Sequence, residues 1–189
     1  MVRYAYEQAV FPMANDDGTV DWYQPYKRAL FPLSGIHVSH SLARVLRRGD
    51  FEVRFDTCFE QVMRSCLRPL ENWINEDLIR TYTQIHCEGW AHCAEVWHGE
   101  ELVGGAYGIA LGSCFCGESM FHRETNASKV ALWALVEKCR ELGFTVFDAQ
   151  IMNPHLKSLG AYEVSHEEYM ELLQDALKRK TVWSAQPLP

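Results

Sequence analysis

Two polar side chains at the end of an apolar segment are the first candidates for chemistry in this sequence. Residues 144–150 alternate as a strand does, which would place Asp148 and Gln150 on one face, roughly 7 Å apart. That face begins with the apolar residues Phe144 and Val146. A carboxylate and an amide at the carboxyl end of such a strand indicate a site at the sheet edge. The alternative is that Asp148 only accepts hydrogen bonds from the turn that follows.

Glu118 and Trp73 are further candidates because each contrasts with its surroundings. Glu118 is the single charged residue between positions 102 and 121, and an unpaired carboxylate is costly to bury. It therefore either faces solvent or receives a cation in a cleft. Trp73 lies between two predicted helices, where it either packs in the ordinary way or stacks on a flat ligand.

The His and Cys residues do not form a pattern typical of a metal site or of a nucleophile. The chain contains 7 Cys without the paired C-x-x-C spacing of zinc sites. Cys114 and Cys116 would share a strand face, where small apolar residues are usual. An odd number of Cys without a secretion signal indicates reduced thiols and a cytoplasmic protein. We therefore expect no metal and no cysteine nucleophile.

Composition and charge limit the classes of function. The chain has 189 residues, of which 48% are hydrophobic and 23% charged, as in ordinary globular domains. Its formal net charge of -7 argues against a general coat of DNA or RNA, while a local basic patch stays compatible with it. No segment approaches the roughly 20 apolar residues of a membrane span, so we expect no membrane partner.

The periodic pattern predicts an α+β fold, a mixed sheet with flanking helices. Helices are indicated at 39–48, 59–67, 77–86, 127–142 and 166–180, and strands at 51–55, 91–97, 102–111 and 144–150. Asn126 is expected to cap the helix that follows it. In the first helix, Arg44, Arg47 and Arg48 would lie opposite the apolar face. They either follow the phosphate backbone of a nucleic acid or form an ordinary solvated surface.

Three segments are predicted along the chain. Residues 1–36 are weakly periodic and rich in aromatic residues and proline, which is typical of an extended segment that packs on a main domain. Residues 37–180 hold most of the predicted helices and strands and would form that domain. Residues 181–189 show no periodic pattern and are expected to fray.

The order of several short motifs resembles that of the leucyl/phenylalanyl-tRNA–protein transferases. The similarity extends over most of the chain. It includes residues 6–12 (YEQAVFP), 73–74 (WI), 91–97 (AHCAEVW), 102–105 (LVGG), 115–121 (FCGESMF), 126–129 (NASK), 148–150 (DAQ) and 158–161 (SLGA). Within this match, Met13 stands where the family has Trp, and His40 stands at a position that is otherwise basic.

The resemblance implies a fold and a reaction. The fold is an acyltransferase domain like that of the GCN5-related N-acetyltransferases. In the reaction, Leu or Phe, with Met as a further candidate donor, leaves its tRNA for the N-terminal α-amine of a protein that begins with Arg or Lys. The product is marked for degradation through the N-degron pathway. Because an aminoacyl ester is already activated, such a reaction needs no metal and no cofactor.

The resemblance also assigns roles by position. The family's catalytic pair is matched by Asp148 and Gln150. Positions near the basic N-terminal residue of the acceptor are matched by Glu118, Tyr6, Tyr82 and Asn153. Positions that hold the aminoacyl-adenosine are matched by Trp73 and Phe115, and a basic helix that contacts tRNA is matched by Arg44, Arg47 and Arg48. We expect an apolar pocket for donor side chains unbranched at Cβ, with walls from Phe115, Met120 and Leu135.

Two other classes of protein are weighed against this one. An acyl-CoA-dependent N-acetyltransferase needs backbone amides close to a pyrophosphate, but residues 121–128 contain no glycine. A non-catalytic tRNA-binding module would leave Glu118 and Asp148 idle among apolar residues. Two roles stay open for Asp148 and Gln150, which are a proton relay and the orientation of the substrate.

Overall fold

The structure is a computed structural model that describes residues 2–15, 17–68, 73–186 and 188. Its strands are β1 (Phe11–Ala14), β2 (Val20–Tyr23), β3 (Lys27–Phe31), β4 (Glu52–Phe55), β5 (Ala91–His98), β6 (Glu101–Leu111), β7 (Cys114–His122), β8 (Val146–Gln150) and β9 (Tyr162–Ser165). Its helices are α1 (Val2–Glu7), α2 (His40–Arg48), α3 (Phe59–Ser65), α4 (Glu76–Cys87), α5 (Ala127–Glu141), α6 (Pro154–Ser158) and α7 (His166–Leu177).

A mixed sheet of seven strands lies at the centre of the described part of the chain, in the order β4-β5-β6-β7-β8-β3-β9. Neighbouring strands are antiparallel except for β7 and β8, which run parallel. A parallel pair needs a crossover connection, and α5 supplies it. The ribbon of β1 and β2 is separate. This architecture confirms the α+β class, and the likeness to GCN5-related N-acetyltransferases stays a prediction.

Helices cover both faces of the sheet because successive side chains of a strand point to opposite sides. On β8, Val146 packs into the apolar cluster that includes α4 and α7, whereas Phe147 packs into the cluster that includes α5. Helix α5 lies directly on β6 at Gly104, where an added Cβ would come within 2.6 Å of the Cβ of Ala127. A larger residue at this position would push α5 away from the sheet.

Two local expectations differ from the structure. Asn126 precedes α5 with a φ of 70° and makes no side-chain cap, and the helix forms because most of its side chains are buried. Part of the tail that was expected to fray is packed, within its described residues 181–186 and 188. The indole of Trp183 stacks on Phe115 with ring centroids 5.5 Å apart. Lys138 Nζ donates a hydrogen bond of 2.7 Å to the carbonyl oxygen of Gln186.

The first predicted segment contributes a strand to the main sheet. β3 falls within residues 1–36, and it pairs with β8 on one side and with β9 on the other. The structure shows no gap in the packing at residue 36 or at residue 180 within its described residues. The division into three segments therefore stays a prediction. Among the described residues, no helix is both long enough and apolar enough to cross a membrane.

Candidate active site

A cavity of about 310 Å³ lies where β7 and β8 separate. The two strands pair only over Cys114–Cys116 on β7 and Val146–Asp148 on β8. Beyond that point β7 continues to His122, while β8 ends at Gln150, whose φ of 63° redirects the chain. Side chains from both strands consequently border one open space, as is usual where neighbouring parallel strands diverge.

One wall of this cavity is apolar, and its residues are Phe31, Ala106, Met120, Leu132, Leu135, Phe147 and Leu156. The structure therefore places Met120 and Leu135 in the wall where they were expected. Phe115 is not part of the lining. It lies in the paired portion of β7, fully buried behind the wall, with its ring centroid 5.2 Å from that of Phe147. The alternating pattern of a strand does not show where its pairing with a neighbouring strand ends. The position of Phe115 behind the wall could therefore not be predicted from the sequence.

Another edge of the cavity comes from β1 and the segment before α4. Met13 and Trp73 both border the cavity. The N–H of Ala14 donates a hydrogen bond of 2.9 Å to the carbonyl oxygen of Trp73, which fixes this segment to β1. An aromatic ring and a flexible thioether at the mouth are well suited to contact a flat ligand.

Glu118 supplies the carboxylate of the cavity. It is only partly exposed and accepts hydrogen bonds from Tyr6 Oη at 2.7 Å, Gln150 Nε2 at 2.8 Å and Tyr82 Oη at 3.4 Å. Burial raises the pKa of Glu118 to about 8. No Arg or Lys of the described chain forms an ion pair with it. The site therefore holds a carboxyl group that lacks a cationic partner.

The two tyrosines hold Glu118 from behind. Tyr6 comes from α1 and Tyr82 from α4, and each is 1% exposed, so neither is part of the cavity lining. Burial raises the pKa of both phenols well above the ordinary value, which keeps them protonated as hydrogen-bond donors. Asn153 does border the cavity, and its side chain also caps α6 by accepting the N–H of Leu156 at 2.9 Å.

Asp148 lies behind the cavity and is not part of its lining. Its fully buried carboxylate accepts hydrogen bonds from Arg28 Nε at 3.0 Å, Arg28 Nη2 at 2.8 Å and Tyr169 Oη at 2.7 Å. It also accepts the backbone N–H of Gln150 at 2.7 Å. Asp148 and Gln150 thus do not present their side chains to one face as the strand pattern indicated. Asp148 holds the backbone of Gln150, and Gln150 points its amide at Glu118.

The partner of Asp148, Arg28, was missed by the sequence analysis. Its guanidinium lies between the rings of Phe11 and Tyr169, 4.9 and 4.6 Å from their centroids. The only local signal is a basic residue directly before the apolar residues 29–31. That signal does not show that the partner of Arg28 is Asp148, which is 120 positions away in sequence.

The basic residues of α2 lie apart from the cavity. Arg44, Arg47 and Arg48 are exposed, and none of them is part of the lining. Arg48 Nε donates to Asp50 Oδ1 at 3.1 Å, while Leu42 is buried on the opposite side of the helix. The predicted division of α2 into a basic and an apolar face is therefore present, and its use in tRNA binding stays a prediction.

A second cluster of titratable groups lies between α3, α4 and β5. Ligand atoms of Asp56, His86 and His92 come within 4.8 Å of one another. Each is already engaged, since His92 Nδ1 is 2.9 Å from Asp56 Oδ2 and His86 Nδ1 is 2.8 Å from the carbonyl oxygen of Ala91. Asp56 also accepts the N–H of Cys93 at 2.8 Å. These bonds fix the start of β5.

Comparison with known proteins identifies the family. The model described as leucyl/phenylalanyl-tRNA protein transferase matches residues 30–174, and the model of the N-terminal domain of that transferase matches residues 1–25. The chain belongs to the leucyl/phenylalanyl-tRNA protein transferase family. The expected class of enzyme, an aminoacyltransferase, is thereby confirmed.

Similar proteins named leucyl/phenylalanyl-tRNA–protein transferase occur in several bacteria. The protein of Chlorobium luteolum is 50% identical over 95% of this chain and 95% of its own length. That of Herpetosiphon aurantiacus is 48% identical over 94% and 93%, and that of Roseobacter denitrificans is 44% identical over 100% and 90%. This transferase family thus accounts for nearly the whole chain, including both strands that border the cavity.

Proposed function

We propose that this transferase moves Leu, Phe or Met from an aminoacyl-tRNA to the N-terminal α-amine of proteins that begin with Arg or Lys. The observation that carries the proposal is a single cavity with an apolar wall on one side and a carboxyl group without a cationic partner on the other. The product would enter the N-degron pathway. Because charged tRNA is made where translation occurs, we place the reaction in the cytoplasm.

The apolar wall suits the donor side chain. Met120, Leu132 and Leu135 form an apolar wall that suits an unbranched or aromatic side chain. Trp73 and Met13, at the edge, would contact the adenosine that carries the ester. The basic face of α2 would hold the body of the tRNA by its phosphates.

The carboxyl group suits the acceptor. An N-terminal Arg or Lys brings a cationic side chain and an α-ammonium group, and Glu118 lacks a cation. A charge-assisted hydrogen bond to Glu118 would recover the free energy lost through its burial. Tyr6 and Tyr82 hold the carboxyl group in place for that contact.

The same carboxyl group suits the proton transfer. The pKa of Glu118, about 8, keeps most of the group protonated at pH 7 in the absence of substrate. An incoming α-ammonium group, with an ordinary pKa of roughly 8, favours the carboxylate form of Glu118, and this carboxylate then receives the proton of the ammonium group. The freed amine attacks the ester carbon, and the bond from that carbon to the ribose oxygen breaks. The ribose oxygen takes up the proton that the attacking nitrogen loses as the peptide bond forms. Gln150, held by Asp148 through its backbone, orients the amine. In this proposal Asp148 is a positioning residue.

A single-turnover transfer assay tests the proposal. Leu-, Phe- and Met-tRNA are expected to react faster than Val- or Ile-tRNA by about 10- to 200-fold, because an apolar pocket rejects a misfit by only a few kcal/mol. An Arg-initiated peptide should react, and the same peptide beginning with Ala should not. Equal use of the two peptides would refute the acceptor assignment. Acetylation from acetyl-CoA, or tRNA binding without transfer, would favour one of the two rival classes.

A further inference from the structure

A group of basic side chains lies at the cavity and near the starts of α5 and α6. We call it the rim cluster, and its members are Arg68, His122, Lys129 and His155. Arg68 itself lines the cavity. The lining residues Met120, Leu132 and Leu156 each lie within three positions of one of the other members. Arg68 therefore borders the cavity itself, and the other three members lie close in sequence to residues that line it.

The members of the rim cluster are close enough to affect one another. Partial desolvation lowers the pKa of His155, and the positive charges of Lys129, His122 and Arg68 lower it further. Within the described residues, neither Lys129 nor His155 forms an ion pair with a carboxylate. Like charges held together without an anion are unfavourable, and a bound anion would relieve that repulsion.

The backbone at this rim adds to the positive potential. Helix α5 points its N-terminus toward the rim, and no side chain caps its first turn. The N-terminus of a helix carries a partial positive charge and favours an anion. Lys129 lies in that first turn, and Ser128 Oγ is 3.4 Å from His122 Nδ1. Side chains and helix therefore favour the same sign of ligand.

The rim cluster differs from the basic face of α2. Arg48 borders a separate depression together with Arg123, whereas Arg68 of the rim cluster lines the cavity. A tRNA offers a different kind of phosphate to each of these two basic surfaces. One kind belongs to the duplex of the acceptor stem, and the other belongs to the single-stranded 3′ end, next to the reacting ribose.

We propose that the rim cluster binds the phosphodiester groups of the single-stranded 3′ end of the donor, next to its terminal adenosine. This inference rests on the proposed function, which places the aminoacyl ester in the cavity. The terminal ribose then lies at the mouth, and its 5′ phosphate faces the rim. By fixing that phosphate, Lys129 and its neighbours hold the ester carbon in register with the amine at Glu118.

Three leucyl donors of increasing length test the inference. They are leucyl-adenosine without phosphate, a leucyl-CCA trinucleotide with two phosphodiester groups, and full Leu-tRNA. Lys129→Gln should lower kcat/KM for the trinucleotide by about tenfold more than for leucyl-adenosine, because only the trinucleotide offers a charge-assisted contact. The salt slope for trinucleotide binding should become shallower by about 0.7. Arg68→Gln should act in the same direction, because Arg68 lines the cavity and keeps its charge at any assay pH.

Two control variants test whether the effect is specific to the rim cluster. Lys178→Gln removes an exposed lysine next to the end of α7 and should leave the three donors in their unmutated ratio. The triple variant Arg44→Gln, Arg47→Gln and Arg48→Gln should impair Leu-tRNA and spare the trinucleotide. An equal loss on leucyl-adenosine and on the trinucleotide, or no loss on the trinucleotide, would overturn the inference.

Binding of unacylated CCA trinucleotide separates this inference from the proposed function. If the unmutated chain transfers Leu from none of the donors, the proposed function fails. The inference about the rim cluster is still tested by fluorescence anisotropy, because the labelled trinucleotide should bind the unmutated chain more tightly than it binds the Lys129→Gln variant. Equal affinity of the two chains would overturn the inference by itself.

Discussion

Two carboxylates on neighbouring strands are held in opposite ways. Asp148 on β8 forms an ion pair with Arg28 and binds the backbone N–H of Gln150. Glu118 on β7 binds the side-chain amide of the same Gln150, but its other partners are the neutral phenols of Tyr6 and Tyr82. Among the described residues, Asp148 has a cationic partner and Glu118 has none.

The contrast indicates which carboxylate is structural and which is available to a ligand. A buried carboxylate that already has a bidentate arginine has little capacity left for a substrate. Burial raises the pKa of Glu118, whose hydrogen-bond donors are neutral, so this carboxyl group gains most from an incoming cation. We therefore expect the loss of Asp148 to affect mainly the fold, and the loss of Glu118 to affect mainly the reaction.

The largest expected effect is on the stability of the Asp148 region. Asp148→Asn leaves Arg28 buried without its counter-charge, and the free energy of unfolding should fall by about 3–5 kcal/mol in urea titrations. The double variant Arg28→Met and Asp148→Leu removes both charges and should recover most of that loss. A loss below about 1 kcal/mol in the single variant would mean that this ion pair is not a structural element.

The next effect concerns catalysis at Glu118. Glu118→Gln should lower kcat/KM for an Arg-initiated acceptor by about 30- to 1000-fold, or about 2–4 kcal/mol, because a buried charge pair with the substrate is lost. Binding of Leu-tRNA should change little. Glu171→Gln, at an exposed position of α7, is the matched control. If transfer by Glu118→Gln matches the control, the contrast between the two carboxylates has no functional meaning.

The smallest effect is on the stability of the Glu118 region, and it depends on pH. The pKa of Glu118 is about 8 in the folded chain and has an ordinary value of 4.5. Between these values the folded state holds a proton that the unfolded state has lost, so stability falls as the pH rises from 4.5 to 8. Above pH 8, Glu118→Gln should therefore be more stable than the unmutated chain by roughly 1–3 kcal/mol.

Unfolding experiments at a series of pH values check this prediction. The difference in the free energy of unfolding between the two chains should be near zero at pH 4 and should grow up to about pH 8. A constant difference across that range would show that Glu118 does not titrate with a raised pKa. Opposite changes in stability and activity in this variant are typical of a residue kept for function.

Much of the fold was determined by the sequence alone. The hairpin of β5 and β6, the helix α5 and the order of the family motifs each depend on local periodicity or on a run of neighbouring residues. Glu118 could be identified as a candidate in the same way, because a single charge in an apolar stretch is visible without any structure. The start of α5 at Ala127 was predicted correctly, but the cap by Asn126 was not formed, since burial stabilises that end.

The tertiary structure decided which groups meet. Arg28 reaches Asp148 because β3 is inserted between β8 and β9, a pairing that the separation of 120 residues conceals. Phe115 lies behind the cavity, while Met120 lines it, because β7 loses its pairing with β8 between them. The left-handed backbone of Gln150 breaks the alternation that the strand pattern assumes. A period in the sequence defines faces of an element, but long-range pairing of strands determines what each face contacts.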